Sequence, residues 1–333
     1  MNPLKGASPK DLARWAFWVP FRRALRPEHP EQLATLYPLW RAQYQAARVQ
    51  RDEMAKEMVL SFGDAREERL QDAYRVAFRV HLEELLLGKL NPDTVDHYMT
   101  WQGKEHLDAA LARGKGAIIV LPHAGNIMMM IARISLSGIP YTQYAARGMA
   151  PEAVALENPD VFGHTPLRAQ VRAAREANED MLPARYLTLE TPVRELFRRL
   201  AANETVGIAY DGRIGSRFVR TPYLGRQALL NPGAFRIAAR TGAALVPIFN
   251  HCPTHGPNVC QVGEPLWGSD WKQLMARFLT ERAEPWLREN PSHYGIWLTH
   301  CRERRAVDDH PLFMDYAPDD RAQRWPTLDG SKK

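Results

Sequence analysis

Cysteine is scarce, with three in 333 residues, at Cys252, Cys260 and Cys301. That excludes a disulfide framework and makes a reducing compartment the default. No uninterrupted apolar run reaches the roughly 18 to 20 residues that a membrane-crossing helix needs. The first apolar cluster is followed by charges rather than a small-residue cleavage site, so no signal peptide is predicted. There is no internal repeat and no low-complexity block. Three phosphate and nucleophile signatures are also missing: the Gly-Lys-Ser/Thr ending of a Walker loop, a G-x-G-x-x-G after the first strand, and a G-x-S-x-G elbow.

What is present is ordinary globular composition, 45% hydrophobic and 25% charged, which excludes a disordered chain, a collagen-like repeat and a polytopic membrane protein. The length is enough for one large α/β domain with extensions, or for two smaller domains. Lys and Arg total 44 against 38 Asp and Glu, a net charge of +6. That balance points to anionic partners: nucleic acid, anionic lipid or an acidic carrier protein. No zinc-finger, helix-turn-helix or RNP-like pattern supports the first.

Residues 30–90 read as helices, and Glu67 to Leu87 carries apolar positions close to helical spacing. Asn91-Pro-Asp93 punctuates the chain. From there the pattern alternates. A helix is predicted over Gly103–Arg113, a buried strand over Ala117–Leu121, an apolar Met-rich helix after Asn126, and a short strand around Tyr141–Ala145. A helix over 192–202, a buried strand over Thr205–Tyr210, a helix over 232–241 and a strand over Ala243–Phe249 follow. A long helix over 270–289 and a strand-like segment over His293–Leu298 close the series. Such alternation argues one α/β domain, its sheet parallel or mixed and flanked by helices. The expected organisation is a helical extension over 1–95, the α/β domain over 96–305, and a loosely attached tail over 306–333, rich in Asp, Pro and Arg.

Four segments carry candidate chemistry. His123 lies two residues past a predicted buried strand, at the edge where catalysts sit in open α/β sheets. It suits a general base, and equally a helix cap or turn residue. Tyr210-Asp-Gly-Arg213-Ile-Gly-Ser-Arg217 follows another buried strand. Its carboxylate, glycines and arginines suit phosphate binding, or a solvated turn. Thr221-Pro-Tyr-Leu-Gly225-Arg226, Asn231-Pro-Gly233 and Val246-Pro247 are loop, cap and strand-end signals. His251, Cys252, His255 and Cys260 lie close together, but their spacing matches no usual zinc site. At the N-terminal end, Trp15-Ala-Phe-Trp-Val-Pro-Phe21 followed by Arg22, Arg23 and Arg26 suits a membrane interface. A helix packed on the body of the protein would explain it equally well.

Taken together, Trp101–Leu111, Gly114-Lys-Gly-Ala-Ile-Ile-Val-Leu-Pro-His-Ala-Gly-Asn126, Val246-Pro-Ile-Phe249 and Asn290-Pro-Ser-His-Tyr-Gly-Ile-Trp297 resemble the lysophospholipid acyltransferase superfamily. Within it, the chain is most similar to the bacterial lipid A lauroyl/myristoyl acyltransferases, over about residues 95–300. The resemblance implies a glycerolipid-acyltransferase-like fold and transfer of an acyl group from acyl carrier protein or coenzyme A to a hydroxyl or amine of a lipid or glycolipid. It implies no cofactor beyond that acyl donor. The family's H-x4-[DE] motif places its base at His123 and its acid at a position that holds Met128 here. Asp211, expected at the same sheet edge, is the leading replacement carboxylate. Arg147, Asp211 and Gly225-Arg226 match the later motifs, and Pro247 the last.

The expected site thus pairs His123 and Asp211 as catalytic residues, with Asn126, Arg147, Arg213, Arg217, Gly225 and Arg226 binding substrate and no metal. Met128-Met-Met130 suits an acyl channel or plain core packing. The expected setting is the cytoplasmic face of the inner membrane, with the protein peripheral and bound through anionic headgroups. Because Met128 replaces the motif acid, a relative that binds lipid or acyl carrier protein without turnover is the alternative.

Overall fold

Ala117-Ile-Ile-Val-Leu121 is buried at every position, the pattern of a strand covered on both faces. In the computed structural model, which describes residues 7–145, 165–188, 191–213, 215, 217–305, 310–316 and 325–328, this strand lies at the middle of a seven-stranded sheet. In chain order the strands are β1 Met99–Gln102, β2 Ala117–Leu121, β3 Tyr141–Tyr144, β4 Arg185–Leu187, β5 Thr205–Ala209, β6 Val219–Tyr223, β7 Arg226–Leu230, β8 Ala244–His251 and β9 Asn258–Val262. The sheet order is β1-β9-β8-β2-β5-β3-β4. Every pairing in it is parallel except β8 with β9. The class is therefore α/β with a mixed, mostly parallel sheet, as the alternating pattern predicts.

The two faces of β2 belong to two separate cores. Ile118 and Val120 join Phe235 and Ala238 of helix Gly233–Thr241 and Leu196 and Leu200 of helix Arg194–Ala201. Ile119 and Leu121 join Met129, Met130 and Ile134 of helix Ile127–Ser135. The sheet order explains the split. The chain leaving β2 runs past β5 to β3, while the chain leaving β5 runs back past β2 to β8. Right-handed crossovers in opposite directions lie on opposite faces, which opens a crevice at the carboxyl ends of β2 and β5.

The remaining helices follow their local signals. Glu67–Glu83 opens on Glu67 and Glu68, favoured at a helix N-terminus, and buries Leu70, Ala73 and Tyr74 on one stripe and Leu82 in a second core. Trp271–Phe278 is capped by Asp270, whose carboxylate accepts the Lys272 and Gln273 N–H groups. The continuous helix predicted over 270–289 is instead two helices joined by a π turn at Leu279–Ala283. Pro285, just after that turn, has no N–H and crowds the carbonyl four residues back, which disturbs the ladder there. The strand predicted over His293–Leu298 is a correction. It is a 3-10 turn at Pro291–His293 followed by helix Gly295–Glu303. Its buried residues Tyr294, Leu298 and Cys301 recur at helical spacing.

Strands β6 and β7 form a hairpin outside the main sheet. Leu224 and Gly225, with φ of 52° and 77°, make the two-residue turn. Two positive φ values in a row match the right-handed twist of the strands. The described parts of the C-terminal stretch dock on this hairpin. Leu229 N–H donates to the Leu312 carbonyl and Arg220 N–H to Pro326, and Leu312 and Phe313 are fully buried. A loosely attached tail is therefore not what residues 310–316 and 325–328 form. Composition reads Asp, Pro and Arg as solvated, but two apolar residues and a free strand edge are enough to hold the segment.

The aromatic N-terminal cluster spans helix Pro9–Ala16 and a π turn at Phe17–Phe21 that contains Pro20. Phe17, Trp18 and Phe21 are partly buried against the core beside helix Ile127–Ser135. The Trp15 indole donates to Gln170, and Lys89 caps the carbonyls of Arg22, Arg23 and Leu25. No helix among the described residues is long and apolar enough to cross a membrane.

Candidate active site

Parallel register brings the two key residues together. Leu121 of β2 pairs with Ala209 of β5, and His123 and Asp211 each lie two residues further on. The equal offset sets them side by side at the crevice. The His123 Nδ1 is 2.7 Å from Asp211 Oδ1. The His123 backbone N–H donates to Oδ2 at 2.9 Å, and the Tyr294 hydroxyl donates to the same oxygen at 2.8 Å.

Asp211 is fully buried, while the His123 side chain keeps 32% of its surface exposed. Burial alone would raise the Asp211 carboxyl. The charge and hydrogen bonds of His123, together with the Tyr294 hydroxyl, outweigh it and hold the carboxyl below its ordinary value. An ionised carboxylate only accepts, so Nδ1 carries a proton in either state of the ring, and in the neutral imidazole Nε2 presents its lone pair. Burial, then the neighbouring Asp211 charge, pushes the Tyr294 hydroxyl well above 10, so it remains a donor. Behind it, Tyr210 and Tyr223 share a hydrogen bond of 2.7 Å.

The turn that carries His123 is held from three sides. Gly125 adopts φ of 65°, and a Cβ there would come within 2.0 Å of the Asn250 carbonyl, so only glycine fits. Its N–H donates to the His293 carbonyl at 3.2 Å. Asn126, fully buried, accepts from Met129 N–H at 3.0 Å to cap the following helix and donates to Glu83 Oε2 at 2.9 Å. Glu83, also fully buried, takes further hydrogen bonds from Arg79, Tyr37 and Asn258. On the open side, Trp297 stacks on the His123 ring, with centroids 3.9 Å apart and planes 14° from parallel.

The other expected site residues fall elsewhere. Asn126 is spent on the helix cap and Glu83, so it supports the turn from inside rather than facing a ligand. Gly225 serves the hairpin turn. The Arg213 guanidinium donates to the carbonyls of Asp211, His310 and Leu229 at 2.8–3.1 Å, clamping the loop to the C-terminal stretch. Arg226 pairs with Glu57 at 2.8 Å and Asp315 at 2.7 Å and lies 3.6 Å over the Phe313 ring. Its charge is neutralised inside the fold, which corrects the expectation that it grips phosphate. Arg217 is exposed. Arg147 lies outside the described residues. Met129 and Met130 are fully buried core, and Met128 is partly buried beside them.

Among the described residues no three His, Cys, Asp or Glu side chains gather as metal ligands. Burial raises the Cys252 thiol to about 12. Glu83, Tyr294 and Trp297 were not singled out from sequence. Only the Asn290–Trp297 segment, through its resemblance, carried a signal for the last two.

A family profile described as bacterial lipid A biosynthesis acyltransferase matches residues 40–301. The phosphatidylinositol mannoside acyltransferase of Mycolicibacterium smegmatis (strain ATCC 700084 / mc(2)155) is 28% identical over 150 residues, covering 44% of this chain and 43% of that protein. The protein of the same name from Mycobacterium tuberculosis (strain CDC 1551 / Oshkosh) is 29% identical over 155 residues, covering 45% of this chain and 42% of that protein. The chain thus spans less than half the length of these curated relatives.

Proposed function

The chain belongs to the bacterial lipid A biosynthesis acyltransferase family, and from that premise we propose that it transfers a fatty acyl group from a thioester to a lipid or glycolipid acceptor. The observation that carries the reading is the His123–Asp211 pair, 2.7 Å apart at the crevice, with the imidazole partly open. His123 Nε2 takes the proton of the acceptor hydroxyl or amine as that atom attacks the thioester carbonyl. A C–O or C–N bond forms, the C–S bond breaks, and the leaving thiolate takes the proton back from the imidazolium. Asp211 fixes the tautomer and steadies the imidazolium.

The donor is the thioester of acyl carrier protein or coenzyme A, with no further cofactor. The acceptor class is anionic lipid or glycolipid. This is supported by the family and by relatives named phosphatidylinositol mannoside acyltransferase. The net charge of +6 suits a peripheral position on the cytoplasmic face of the inner membrane. Exposed Arg217 and the Arg147 position are the proposed phosphate contacts.

The test is direct. Purified protein is given acyl carrier protein or coenzyme A thioesters and a panel of lysophospholipid and glycolipid acceptors, and acyl transfer is followed. Transfer abolished by His123→Ala supports the mechanism, and transfer that survives this change overturns it. Met128 at the motif acid position favours a second reading, a relative that binds without turnover. That reading predicts acyl-chain or carrier binding unchanged by His123→Ala and no transfer with any acceptor.

A further inference from the structure

The family motif would supply the acid for His123 from within its own turn. Here the acid comes from β5, and it lies in a fully buried place where a bare carboxylate is unstable. Something must stabilise the charge, and besides the ring and N–H of His123 itself the support comes from one unexpected element, the turn and helix that follow Asn290.

We propose that Tyr294 and Trp297 are positioning residues of the site, holding the His123–Asp211 pair from its two ends. The proposal rests on the acyltransferase reading only for its kinetic consequence, since the contacts stand without it. The Tyr294 hydroxyl donates to Asp211 Oδ2 at 2.8 Å. Among the described residues that oxygen otherwise receives only the His123 backbone N–H, and Oδ1 is taken by the ring. Trp297 lies face to face with the imidazole at 3.9 Å. The π face favours the imidazolium that forms when the base takes a proton. It also prevents the ring from swinging away from Asp211.

The two residues are three apart, and helix Gly295–Glu303 begins between them. One element therefore reaches both partners. The segment is tied to the catalytic turn as well, because the His293 carbonyl accepts the Gly125 N–H. Tyr294 cannot lose its proton in this setting, since burial and the adjacent Asp211 charge oppose it. Its role is to hold charge and geometry, with proton transfer left to His123.

The two residues act on the pair with opposite sign, and this makes the test decisive. Tyr294→Phe keeps the ring and removes one donor from the carboxylate. The less satisfied anion then holds protons more tightly, its own and that of His123. The imidazole titration and the acid limb of the rate profile should move up by about 1 pH unit. Trp297→Leu keeps apolar cover on the imidazole and removes the π face. Both readouts should move down by about half a unit. Trp297→Phe, which restores a ring, should return most of that shift.

The imidazole titration is measured by NMR on the free full-length protein, with His123→Gln to assign the signal. Transfer rates are measured separately against pH. Opposite shifts in the NMR titration support the clamp even if no acceptor is turned over, a result that would count against the acyltransferase reading alone. An unchanged titration in both single variants, or shifts of the same sign, overturns it. A purely structural role would lower stability and leave the titration where it was.

Discussion

Replacing Asp211 with Asn isolates the carboxylate's charge from its shape. Among the described residues the Asp211 carboxylate receives three hydrogen bonds and donates none: the His123 ring on Oδ1, and the His123 N–H and Tyr294 hydroxyl on Oδ2. An Asn must set its single oxygen toward one side. The Oδ2 side offers two donors, so the oxygen goes there and the amide group faces the ring. The ring answers by turning Nδ1 into an acceptor and moving its proton to Nε2. The base then has no lone pair where the acceptor hydroxyl would arrive. In a Ser-His-Asp enzyme the same wrong tautomer lowers kcat by about 10⁴, which corresponds to about 5.5 kcal/mol in the barrier. We expect a fall of about 10³ to 10⁴ in kcat for the thioester substrate, with KM little changed. Stability should shift by only about 1–2 kcal/mol, because the volume is conserved and a buried charge is removed along with its hydrogen bonds. The assay is steady-state transfer alongside chemical denaturation of the same preparation. A variant within tenfold of the parent in kcat would refute the orienting role.

Three further outcomes follow from the same contacts. Arg226→Ala should cost about 2–4 kcal/mol in denaturant unfolding, since it takes a cation from the buried Glu57 and from the Phe313 ring, while the acceptor KM stays within about twofold. A tenfold rise in KM with unchanged stability would return Arg226 to the substrate. Glu83→Ala should cost about 3–5 kcal/mol, because it strands the buried Arg79 guanidinium and frees the Asn126 cap. A loss below about 1 kcal/mol, again read by denaturation, would show that the hub is dispensable. His293 is held down to about 3 from the usual 6.5 by burial first, then by His251 and Arg75. A folded value below the unfolded one means its contribution to stability is complete above about pH 6.5 and is lost progressively as the pH falls toward 3. The midpoint for thermal unfolding should therefore fall more gently with acid in His293→Gln than in the parent, and parallel curves would contradict this.

Much of the layout is legible in the sequence. The apolar run Ala117–Leu121 could only be a strand covered on both faces, and His123 two residues past it had to sit at the carboxyl edge. Asp211 followed its own buried strand in the same way. The hairpin β6–β7 and strands β1, β4 and β9 were not legible. They are three to five residues long and several are half exposed, and β1 and β4 pair with strands from distant parts of the chain. Arg226 shows a related failure: beside Gly225 it reads as a loop cation, and only the approach of Glu57 from a far helix and Asp315 from near the C-terminus turns it inward.

Local chemistry in the chain therefore determined the residue types, the strand ends and the candidate base, His123. Tertiary structure decided which carboxylate serves that base. Met128, inside the motif, offers none, and Asp211 lies 88 residues away along the chain. The parallel register of β2 with β5 closes that distance to a hydrogen bond. Tyr294 and Trp297 needed the same help, because their segment reads as a strand until the packing of Tyr294, Leu298 and Cys301 winds it into a turn and helix. Sequence proximity governs caps, turns and periodicity. A charge pair between two strand ends depends on sheet order, which no local window contains.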